Sequence, residues 1–492
     1  MRLCDILVKT DYELVFGDIT KEVKSLEYHS KNVKEESAFF VIDGYFHKGE
    51  DYIKEAIVKG ASVIVLSREL ADSAETILVN ESIENLAVIK VEDVRKALAT
   101  MSVAFYNNPS GEMQVIGITG TKGKTTTAFM VQHILESAGI KTGIIGTVVC
   151  GYKDNYIRSE YTTPQAPQIQ KMMREMANNG CKVVVMEVSS QGLKHSRVCG
   201  VDFNIGVLTN ISKDHIGGFE HENFEEYIEC KSKLFDMSSR AIINGDCINW
   251  KDVVKNKKLK QKIFYGKDEE FDYSCSDISL FRTADILGSK FLIRGIEFVL
   301  NIPGAFNAQN ALCAISTCRA LGVPYEIIKE ALLDVKIPGR AELVKLKDLS
   351  VIVDYAHNGV AIEALLTSLK EYKPNRLMLV FGCGGNRDKN RRYEMGKAAY
   401  MLADYIVVTS DNPRNENPIE IIKDITSEMD FCEKVILSIP DRKEAIKRAI
   451  NDGEKGDIIV IAGKGHETYQ IIGNETIHFD DKEVILSCGK DN

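Results

Sequence analysis

Gly120-Thr121-Lys122-Gly123-Lys124-Thr125-Thr126 is the stretch that decides the fold of this chain. An apolar run precedes it at 115–119, and a pattern typical of a helix follows it at 128–138. A strand, a glycine-rich loop and a helix in this order predict a P-loop, whose backbone N–H groups and helix N-terminus bind phosphate. In such a loop the Lys124 amine reaches the terminal phosphates, and the Thr125 hydroxyl is offered to Mg²⁺.

The loop differs from the general P-loop at one position. A glycine normally stands five residues before the glycine of Gly-Lys-Thr, whereas this chain has Ile118 there and its nearer glycine is Gly120. An alternative interpretation is a helix N-terminus whose glycines only make the turn. The strand, loop and helix context favours nucleotide binding over that alternative.

Length and composition indicate an ordinary globular protein of several domains. The chain has 492 residues, of which 44% are hydrophobic and 27% are charged, and this length corresponds to about three domains. Its longest apolar runs, such as 63–66 and 458–462, have the length of strands, and its first residues do not resemble a secretory signal. We therefore expect no membrane span and a cytoplasmic location.

Charge and cysteine content exclude further classes of protein. A net charge of −9 argues against nucleic-acid binding, which requires a basic surface. A small polyanionic ligand remains compatible if local lysine, arginine and backbone N–H groups bind it. The 12 cysteines are scattered without a C-x-x-C pair, which favours reduced, mostly buried thiols over disulfides or a metal finger.

Alternating strand and helix patterns predict an α/β fold of three domains, with boundaries at the turn-forming segments 107–111 and 337–339. The predicted domains are 1–108, 109–336 and 337–492. Apolar runs in the central domain predict buried parallel strands, and 251–297 predicts a small antiparallel insert. The predicted strands are 38–42, 62–66, 86–91, 114–119, 143–149, 182–188, 204–209, 241–244, 350–353, 376–381, 405–409, 434–437 and 457–461.

Several polar motifs follow these predicted strands, where open α/β sheets bind their ligands. Glu187 could meet Mg²⁺ directly or through water, or could be satisfied by a neighbouring loop. His215 and Lys231, each taken alone, are more typical of a structural histidine and a solvated helix lysine. Asp411-Asn-Pro-Arg414 is either a turn or an arginine fork for a carboxylate, and Gly463-Lys-Gly-His-Glu467 is either a second glycine loop or a tight turn.

Taken together, the motifs resemble the Mur ligase family over almost the whole chain and in order. The matching segments are G-T-K-G-K-T-T, T-T-P, E-V-S-S, D-H, K-S-K-L-F, F-N-A-Q-N, D-Y-A-H, G-C-G-G-N-R-D, D-N-P-R and G-K-G-H-E. The resemblance implies an N-terminal domain for the UDP end of the substrate, a central P-loop parallel-sheet ATPase domain, and a C-terminal Rossmann-like domain for an amino acid.

The resemblance also implies roles for individual residues. The expected catalytic residues are Lys124, Glu187, His215 and Lys231, and the expected metal ligands are Thr125, Glu187, His215 and Lys231, the last as a CO₂-derived N6-carboxylysine. ATP is expected at Gly120, Thr121, Lys122, Gly123, Lys124, Thr125, Thr126, Asn307, Asn310, Arg340, Asp354 and His357. The UDP-linked substrate is expected at Ser30, Tyr45, Phe46, His47, Thr162, Thr163, Ser189, His195 and Arg197, and the amino acid at Arg387, Asp411, Asn412, Pro413, Arg414, Gly463 and Glu467.

The implied activity is an ATP- and Mg²⁺-dependent ligase of peptidoglycan synthesis, acting as a monomer. It would add meso-2,6-diaminopimelate to UDP-N-acetylmuramoyl-L-alanyl-D-glutamate through an acyl phosphate. The alternatives are a lysine-adding enzyme, another relative such as the next-step ligase or a folylpolyglutamate synthetase, and a catalytically silent binding protein. Two segments depart from the family pattern: D-H-x-D-Y-H-G becomes 214–221, and D-Y-A-H-T-P-D becomes 354–360.

Overall fold

The computed structural model describes residues 1–70, 85–213, 216–217, 220–255, 257–283, 286–346 and 348–489. They form an α/β protein with two compact units. The first comprises Met1–Tyr265 and Ser316–Leu321, and the second comprises Gly266–Ile315 and Gly322–Asn492. None of the helices in these described ranges is long and apolar enough to cross a membrane.

The first unit begins with a five-stranded sheet in the order β1-β5-β4-β3-β2. Strands β2 to β5 are parallel and β1 is antiparallel to β5. Ala97, Leu98 and Met101 of helix α3 (Val94–Phe105) pack into a buried core with the sheet. The elements are α1 (Leu3–Ile6), β1 (Glu13–Phe16), β2 (Ser25–Glu27), β3 (Ser37–Phe40), α2 (Ile53–Val58), β4 (Ala61–Ser67), β5 (Ala87–Val91) and α3 (Val94–Phe105).

A larger sheet follows in the same unit, with the order β13-β12-β11-β6-β10-β7-β8-β9. Strands β13 to β7 in this order are parallel, and β8 and β9 continue the sheet as an antiparallel hairpin. The strands are β6 (Gln114–Thr119), β7 (Thr142–Ile145), β8 (Val149–Tyr152), β9 (Asn155–Arg158), β10 (Val183–Glu187), β11 (Phe203–Leu208), β12 (Ser238–Asn244) and β13 (Gln261–Gly266). The helices are α4 (Lys124–Ser137), α5 (Ala166–Asn178), α6 (Ser190–Lys194), α7 (Phe224–Asp236) and α8 (Trp250–Val253).

The register of the parallel strands decides which loops meet. Glu187 at the end of β10 pairs with Ile118 of β6, and Leu208 at the end of β11 pairs with Thr119. The carboxyl ends of three neighbouring strands therefore lie at one edge of the sheet, which is where open α/β sheets bind ligands. This edge carries the P-loop.

Helix α7 is formed by a clear capping and burial pattern. The Asn223 side chain accepts a hydrogen bond from the Glu226 backbone N–H, and acidic residues occupy the first turn, where the helix dipole favours negative charge. Tyr227, Lys231 and Leu234 are buried and share one face at helical spacing. The helix thus carries a lysine into the interior of the unit.

The second unit combines an antiparallel β-sheet with a six-stranded sheet of order β17-β18-β22-β19-β20-β21. Strand β17 is antiparallel and the other five are parallel. The strands are β14 (Tyr273–Arg282), β15 (Leu287–Ile293), β16 (Ile296–Leu300), β17 (Glu342–Leu346), β18 (Leu349–Asp354), β19 (Leu377–Phe381), β20 (Tyr405–Val408), β21 (Val435–Ser438), β22 (Ile458–Ala462), β23 (Tyr469–Ile472) and β24 (Glu475–His478). Helix α9 (Ala305–Ala320) belongs to this unit as far as Ile315. The other helices are α10 (Tyr325–Asp334), α11 (Gly359–Lys370), α12 (Asn390–Leu402), α13 (Pro418–Thr426), α14 (Arg442–Asn451) and α15 (Asp481–Cys488).

The α/β class and all thirteen predicted strands are confirmed, each overlapping an observed strand. The expected antiparallel insert is also confirmed, since β14, β15 and β16 pair antiparallel. The hairpins β8-β9 and β23-β24 were not predicted. All four residues of β9 and of β24 are exposed, so neither strand carries the alternation that reveals a half-buried strand.

Candidate active site

Glycine is required at the start of the P-loop. Gly120 has a φ of 149°, and a Cβ placed on it would lie 1.9 Å from the Thr209 hydroxyl oxygen. Gly123, with a φ of 82°, caps helix α4 in the left-handed region, which glycine adopts without steric cost. The loop therefore has its glycines where the backbone must turn and approach a neighbour closely.

The loop is held from the end of the neighbouring strand β11. The Thr209 hydroxyl donates to the Lys122 carbonyl at 2.7 Å, and the Asn210 carbonyl accepts from the Thr121 N–H at 2.9 Å. The Asn210 side chain accepts from the Lys122 N–H and donates to its carbonyl. These contacts fix the loop conformation before any ligand is present, which is the preorganisation that a phosphate site requires.

Two lysine amines converge on one carbonyl of the loop. Lys124 Nζ donates to the Gly120 carbonyl at 2.8 Å and to the Thr121 carbonyl at 3.1 Å. Lys231 Nζ, from helix α7, donates to the same Gly120 carbonyl at 2.9 Å and lies 4.5 Å from the centroid of the Tyr227 ring. The structure thus brings together two of the predicted catalytic residues.

Glu187 is fully buried beside the loop. Its Oε2 accepts from the Thr125 hydroxyl at 2.8 Å and from the Thr147 hydroxyl at 3.0 Å, and its Oε1 accepts from the Thr147 N–H at 2.8 Å. A Cβ at Gly146 would lie 2.3 Å from Oε1, so glycine makes room for the carboxylate. Three hydrogen bonds thus orient a buried anion toward the hydroxyl of the P-loop.

Thr125 and Glu187 provide part of the set of ligands that Mg²⁺ requires. A hydroxyl oxygen and a carboxylate oxygen 2.8 Å apart are the hard oxygen ligands that Mg²⁺ prefers. Lys231, as an ammonium group bonded to a carbonyl, offers a charge of the wrong sign, and only a carbamate on its Nζ would add oxygen ligands. His215 lies outside the described residues.

A cleft of about 720 Å³ opens beside the loop within the first unit. Lys124 and Lys231 line it, together with six of the residues predicted for the UDP-linked substrate: Tyr45, Thr162, Thr163, Ser189, His195 and Arg197. The structure does not bring the other three to this cleft. The Ser30 hydroxyl donates to Glu55, the Phe46 side chain is largely exposed, and the His47 ring packs edge-on against Tyr52.

The cleft wall is positively charged. Arg95 donates to the Asp43 carbonyl at 2.7 Å, and Arg197 donates to the Thr163 carbonyl at 2.8 Å while its buried Nε has no hydrogen-bond partner in the described part of the chain. Burial, followed by the charges of Arg95 and Arg197, lowers the pKa of His195 to about 4. His195 is therefore neutral near pH 7, and two guanidinium groups supply the charge for an anionic ligand.

In the second unit, a buried lysine connects the D-N-P-R and G-K-G-H-E loops. Lys464 Nζ donates to Asn412 Oδ1 at 3.1 Å and lies 3.5 Å and 3.6 Å from carboxylate oxygens of Asp411 and Glu467. Asn412 Nδ2 donates to Glu467 Oε2 at 3.0 Å. A Cβ at Gly463, whose φ is 110°, would lie 2.8 Å from an Asp411 oxygen. Four of the residues predicted to bind the amino acid are therefore brought together.

The loop that follows β19 joins this cluster through backbone contacts. Arg414 donates from NH1 to the Gly385 carbonyl at 2.7 Å, and a Cβ at Gly385 would lie 2.0 Å from the Pro413 carbonyl oxygen. Arg387 is exposed on the same loop, and its Cγ would lie 3.9 Å from a Cβ placed on Gly384. The arginine fork expected from the sequence is thus half-buried and held at the edge of the loop.

Other residues predicted to bind ATP form two smaller groups in the second unit. Asp354 accepts from the N–H groups of Ala341 and Ala356, each at 2.7 Å, and burial raises its pKa although Arg340 opposes this. The Arg340 guanidinium lies 4.7 Å from the Tyr355 ring centroid, and His357 Nδ1 is 2.8 Å from the Tyr355 carbonyl oxygen. Separately, Asn310 donates to Asn307, which donates to the Pro303 carbonyl.

Sequence reasoning missed four residues at these sites: Arg95, Thr147, Tyr227 and Lys464. Lys464 follows the predicted strand 457–461, and that position was the available signal. Thr147 falls within the predicted strand 143–149, whereas the observed strand β7 ends at Ile145. Arg95 and Tyr227 lie on helices whose local sequence contains no such signal. Only the tertiary fold brings them to the cleft.

Three family models match successive parts of the chain. Residues 22–106 match the Mur ligase family catalytic domain, 118–318 the Mur ligase middle domain, and 339–465 the Mur ligase glutamate ligase domain. These ranges follow the same order as the three predicted domains.

Individual relatives match the chain along its full length. It is 42% identical to UDP-N-acetylmuramoyl-L-alanyl-D-glutamate–2,6-diaminopimelate ligase 1 of Clostridium acetobutylicum, covering 99% of this chain and 98% of that protein. It is 40% identical to the ligase of the same description from Clostridium perfringens, covering 99% of each. A solved structure of a 2,6-diaminopimelate ligase superposes with a TM-score of 0.70 at 28% identity, covering 100% of this chain and 99% of that one.

Proposed function

The chain belongs to the Mur ligase family, and we propose that it joins meso-2,6-diaminopimelate to UDP-N-acetylmuramoyl-L-alanyl-D-glutamate at the expense of ATP. The observation that carries the ATP-dependent step is the P-loop with Lys124 and Thr125 beside the buried Glu187 carboxylate. The two relatives named for this substrate pair, each matching 99% of the chain, support the choice of substrates. An ATP-dependent, amide-bond-forming ligase is the class of enzyme.

The reaction activates the D-glutamyl carboxylate as an acyl phosphate, which the amine of the incoming amino acid then attacks with release of phosphate. Phosphoryl transfer requires mainly positioning and charge neutralisation. The loop N–H groups and Lys124 bind the phosphates, and Lys124 must leave its present carbonyl partners to do so. Mg²⁺ would supply further neutralisation at the Thr125 and Glu187 oxygens.

The cleft beside the P-loop is suited to the UDP-linked substrate. Arg95 and Arg197 present guanidinium groups that bind anions by paired hydrogen bonds. The substrate contains a diphosphate and carboxylates, so a positive wall with a neutral His195 matches its charge. Thr162, Thr163 and Ser189 add hydroxyl groups for its polar atoms, while Ser30, Phe46 and His47 remain predictions.

Selection of diaminopimelate rests on the cluster in the second unit. Diaminopimelate differs from lysine by a distal carboxylate, and Arg414 is the guanidinium that would bind it. Asn412, Glu467, Asp411 and Gly463 would hold the amino-acid groups at that end, with Arg387 at the exposed margin. A lysine-adding enzyme is the alternative, and it is disfavoured because lysine would leave the Arg414 side chain without a carboxylate partner.

Lys231 is proposed to carry a carbamate. Its Nζ is almost fully buried near the P-loop, and CO₂ would convert this cation into an anion with hard oxygen atoms. The neutral amine attacks CO₂ and loses one proton. Electron density at the lysine tip, or bicarbonate rescue of Lys231→Ala, tests this; a bare amine in a fully active enzyme would exclude it.

Further predictions from the sequence complete the proposal. The domains 1–108, 109–336 and 337–492 would bind the UDP end, ATP and the amino acid, with Asn307, Asn310, Arg340, Asp354 and His357 contacting the nucleotide. The enzyme would act as a monomer in the cytoplasm.

A phosphate-release assay distinguishes these functions. With UDP-N-acetylmuramoyl-L-alanyl-D-glutamate and ATP present, diaminopimelate should stimulate phosphate release and lysine should not. Stimulation by lysine alone would indicate the lysine-adding alternative, and stimulation by a folate substrate with glutamate would indicate the folylpolyglutamate alternative. No release with any amino acid would indicate a silent binding protein.

A further inference from the structure

The buried histidine His221 lies just before helix α7. Only 2% of its surface is exposed, and neither Nδ1 nor Nε2 has a hydrogen-bond partner in the ranges that the structure describes. Buried polar atoms are almost always paired, and an unpaired one often marks the site of an absent ion or water. The proposed ligase reaction gives this side chain no role.

Two further ligand-type side chains face His221. Glu226 and Cys230 stand four residues apart on helix α7 and thus share one face of it. The nearest ligand atoms of His221, Glu226 and Cys230 all lie within 4.8 Å of one another, and His221 Nδ1 is 3.8 Å from Glu226 Oε1. Cys230 is a free, buried thiol.

We propose that His221, Glu226 and Cys230 form a binding site for Zn²⁺. Imidazole, carboxylate and thiolate are the ligands of protein zinc sites, and three of them leave a fourth tetrahedral position for water. Zinc–ligand bonds of about 2.0–2.3 Å place tetrahedral ligands about 3.3–3.8 Å apart. The three side chains therefore need to close by about 1 Å, and the Cys230 thiol proton leaves to solvent when the bond forms.

Lys194 competes with zinc for one of the ligands. Its Nζ lies 2.8 Å from Glu226 Oε1 and also donates to the Glu220 carbonyl. Zinc must displace this ammonium group from the carboxylate, or share the carboxylate with it. Removing the Lys194 charge should therefore strengthen zinc binding, whereas it would not affect an ion bound elsewhere on the protein.

The site shares no ligand with the proposed magnesium site, although Cys230 immediately precedes Lys231, and it is connected to the P-loop. The Tyr227 ring centroid lies 5.2 Å from that of His221, and its hydroxyl is 2.9 Å from the Thr121 hydroxyl of the loop. Tyr227 also packs against Lys231. Ordering of the His221 side chain by zinc would thus stabilise the packing that supports the loop.

The test is a metal titration of the full-length protein, freed of metal and kept reduced. Co²⁺ replaces Zn²⁺ as the probe because a cobalt–thiolate bond gives a charge-transfer absorption band. One equivalent of Co²⁺ should produce that band, and one equivalent of Zn²⁺ should abolish it. His221→Ala and Cys230→Ser should each raise the dissociation constant at least about 100-fold, and Lys194→Met should lower it up to about fivefold.

Two control variants test the specificity of these effects. Cys199→Ser removes a half-buried thiol outside the cluster, and Lys257→Met removes the ion pair with Asp236 at the far end of helix α7. Both should retain the wild-type affinity. Absence of a thiolate band in the wild type, or a band that persists in Cys230→Ser, would overturn the proposal.

X-ray absorption spectroscopy of the wild-type protein with one equivalent of zinc identifies the zinc ligands without any variant, so it tests the proposal even if a variant does not fold. One sulfur ligand with nitrogen and oxygen ligands is expected. A shell with no sulfur, or with two or more, would contradict the proposed set.

Discussion

Replacing Glu187 by glutamine should separate metal binding from folding. The carboxylate accepts three hydrogen bonds, and a glutamine oxygen in place of Oε1 would keep the bond from the Thr147 N–H. The new NH₂ group would face the Thr125 and Thr147 hydroxyls, which can rotate to accept hydrogen bonds. Each charge-assisted bond exceeds a neutral one by about 1 kcal/mol, and removing a buried charge offsets part of that loss. We expect a loss of at most about 2 kcal/mol in the free energy of unfolding.

The functional effect of the same substitution should be much larger. Glu187→Gln removes the buried anion beside the Thr125 hydroxyl, so the Mg²⁺ concentration for half-maximal phosphate release should rise about 10- to 100-fold. Urea unfolding measures stability, and phosphate release over a Mg²⁺ series measures metal dependence. Glu136, an exposed glutamate near the end of the P-loop helix α4, provides the matched control: Glu136→Gln should change neither stability nor Mg²⁺ dependence. A folded Glu187→Gln with wild-type Mg²⁺ dependence would refute the assignment.

Three further predictions concern the two units. Lys124→Ala should reduce ATP-dependent product formation at least about 100-fold, because the phosphates lose their principal side-chain cation; near-normal turnover by liquid chromatography would contradict this role. Arg414→Ala should lower the selectivity for diaminopimelate over lysine about 30-fold, the lower end for an ion pair that is only half-buried; competition between the two amino acids measures the ratio, and an unchanged ratio would exclude Arg414 as the determinant. Burial, followed by the charges of Arg95, Arg197, Lys194 and His221, lowers the pKa of folded His195 from 6.5 to about 4. The unfolded chain therefore binds a proton that the folded protein does not, and the stability of the protein falls as the pH drops from 6.5 toward 4. His195→Gln should therefore lose about 2 kcal/mol less unfolding free energy than the wild type between pH 8 and pH 5. Equal losses in urea unfolding would contradict the prediction.

The sequence predicts the strands and the P-loop because their signals are local. Apolar runs mark the parallel strands, and the glycines of 120–126 mark the turn between strand and helix. Glu187 is placed correctly at the carboxyl end of β10 for the same reason, since the end of the apolar run gives its position. The register that sets Glu187 opposite Ile118 was not predicted and is seen only in the structure.

The remaining features depend on residues that are distant in sequence. Arg95 reaches the cleft from a helix of the five-stranded sheet, and Tyr227 reaches Thr121 across about a hundred residues. Lys231 has the local pattern of a solvated helix lysine, yet it is almost completely buried because α7 turns that face toward the P-loop. Such contacts are formed by the packing of helices on sheets, which the local sequence pattern does not encode.

The most direct measurement of the central claim is the mass of the reaction product. The enzyme is incubated with UDP-N-acetylmuramoyl-L-alanyl-D-glutamate, ATP, Mg²⁺ and an equimolar mixture of meso-diaminopimelate and L-lysine. The proposed function predicts a UDP-linked tripeptide whose mass includes diaminopimelate, formed with one ADP per product. A product containing lysine in equal or greater amount, or no tripeptide at all, would contradict it.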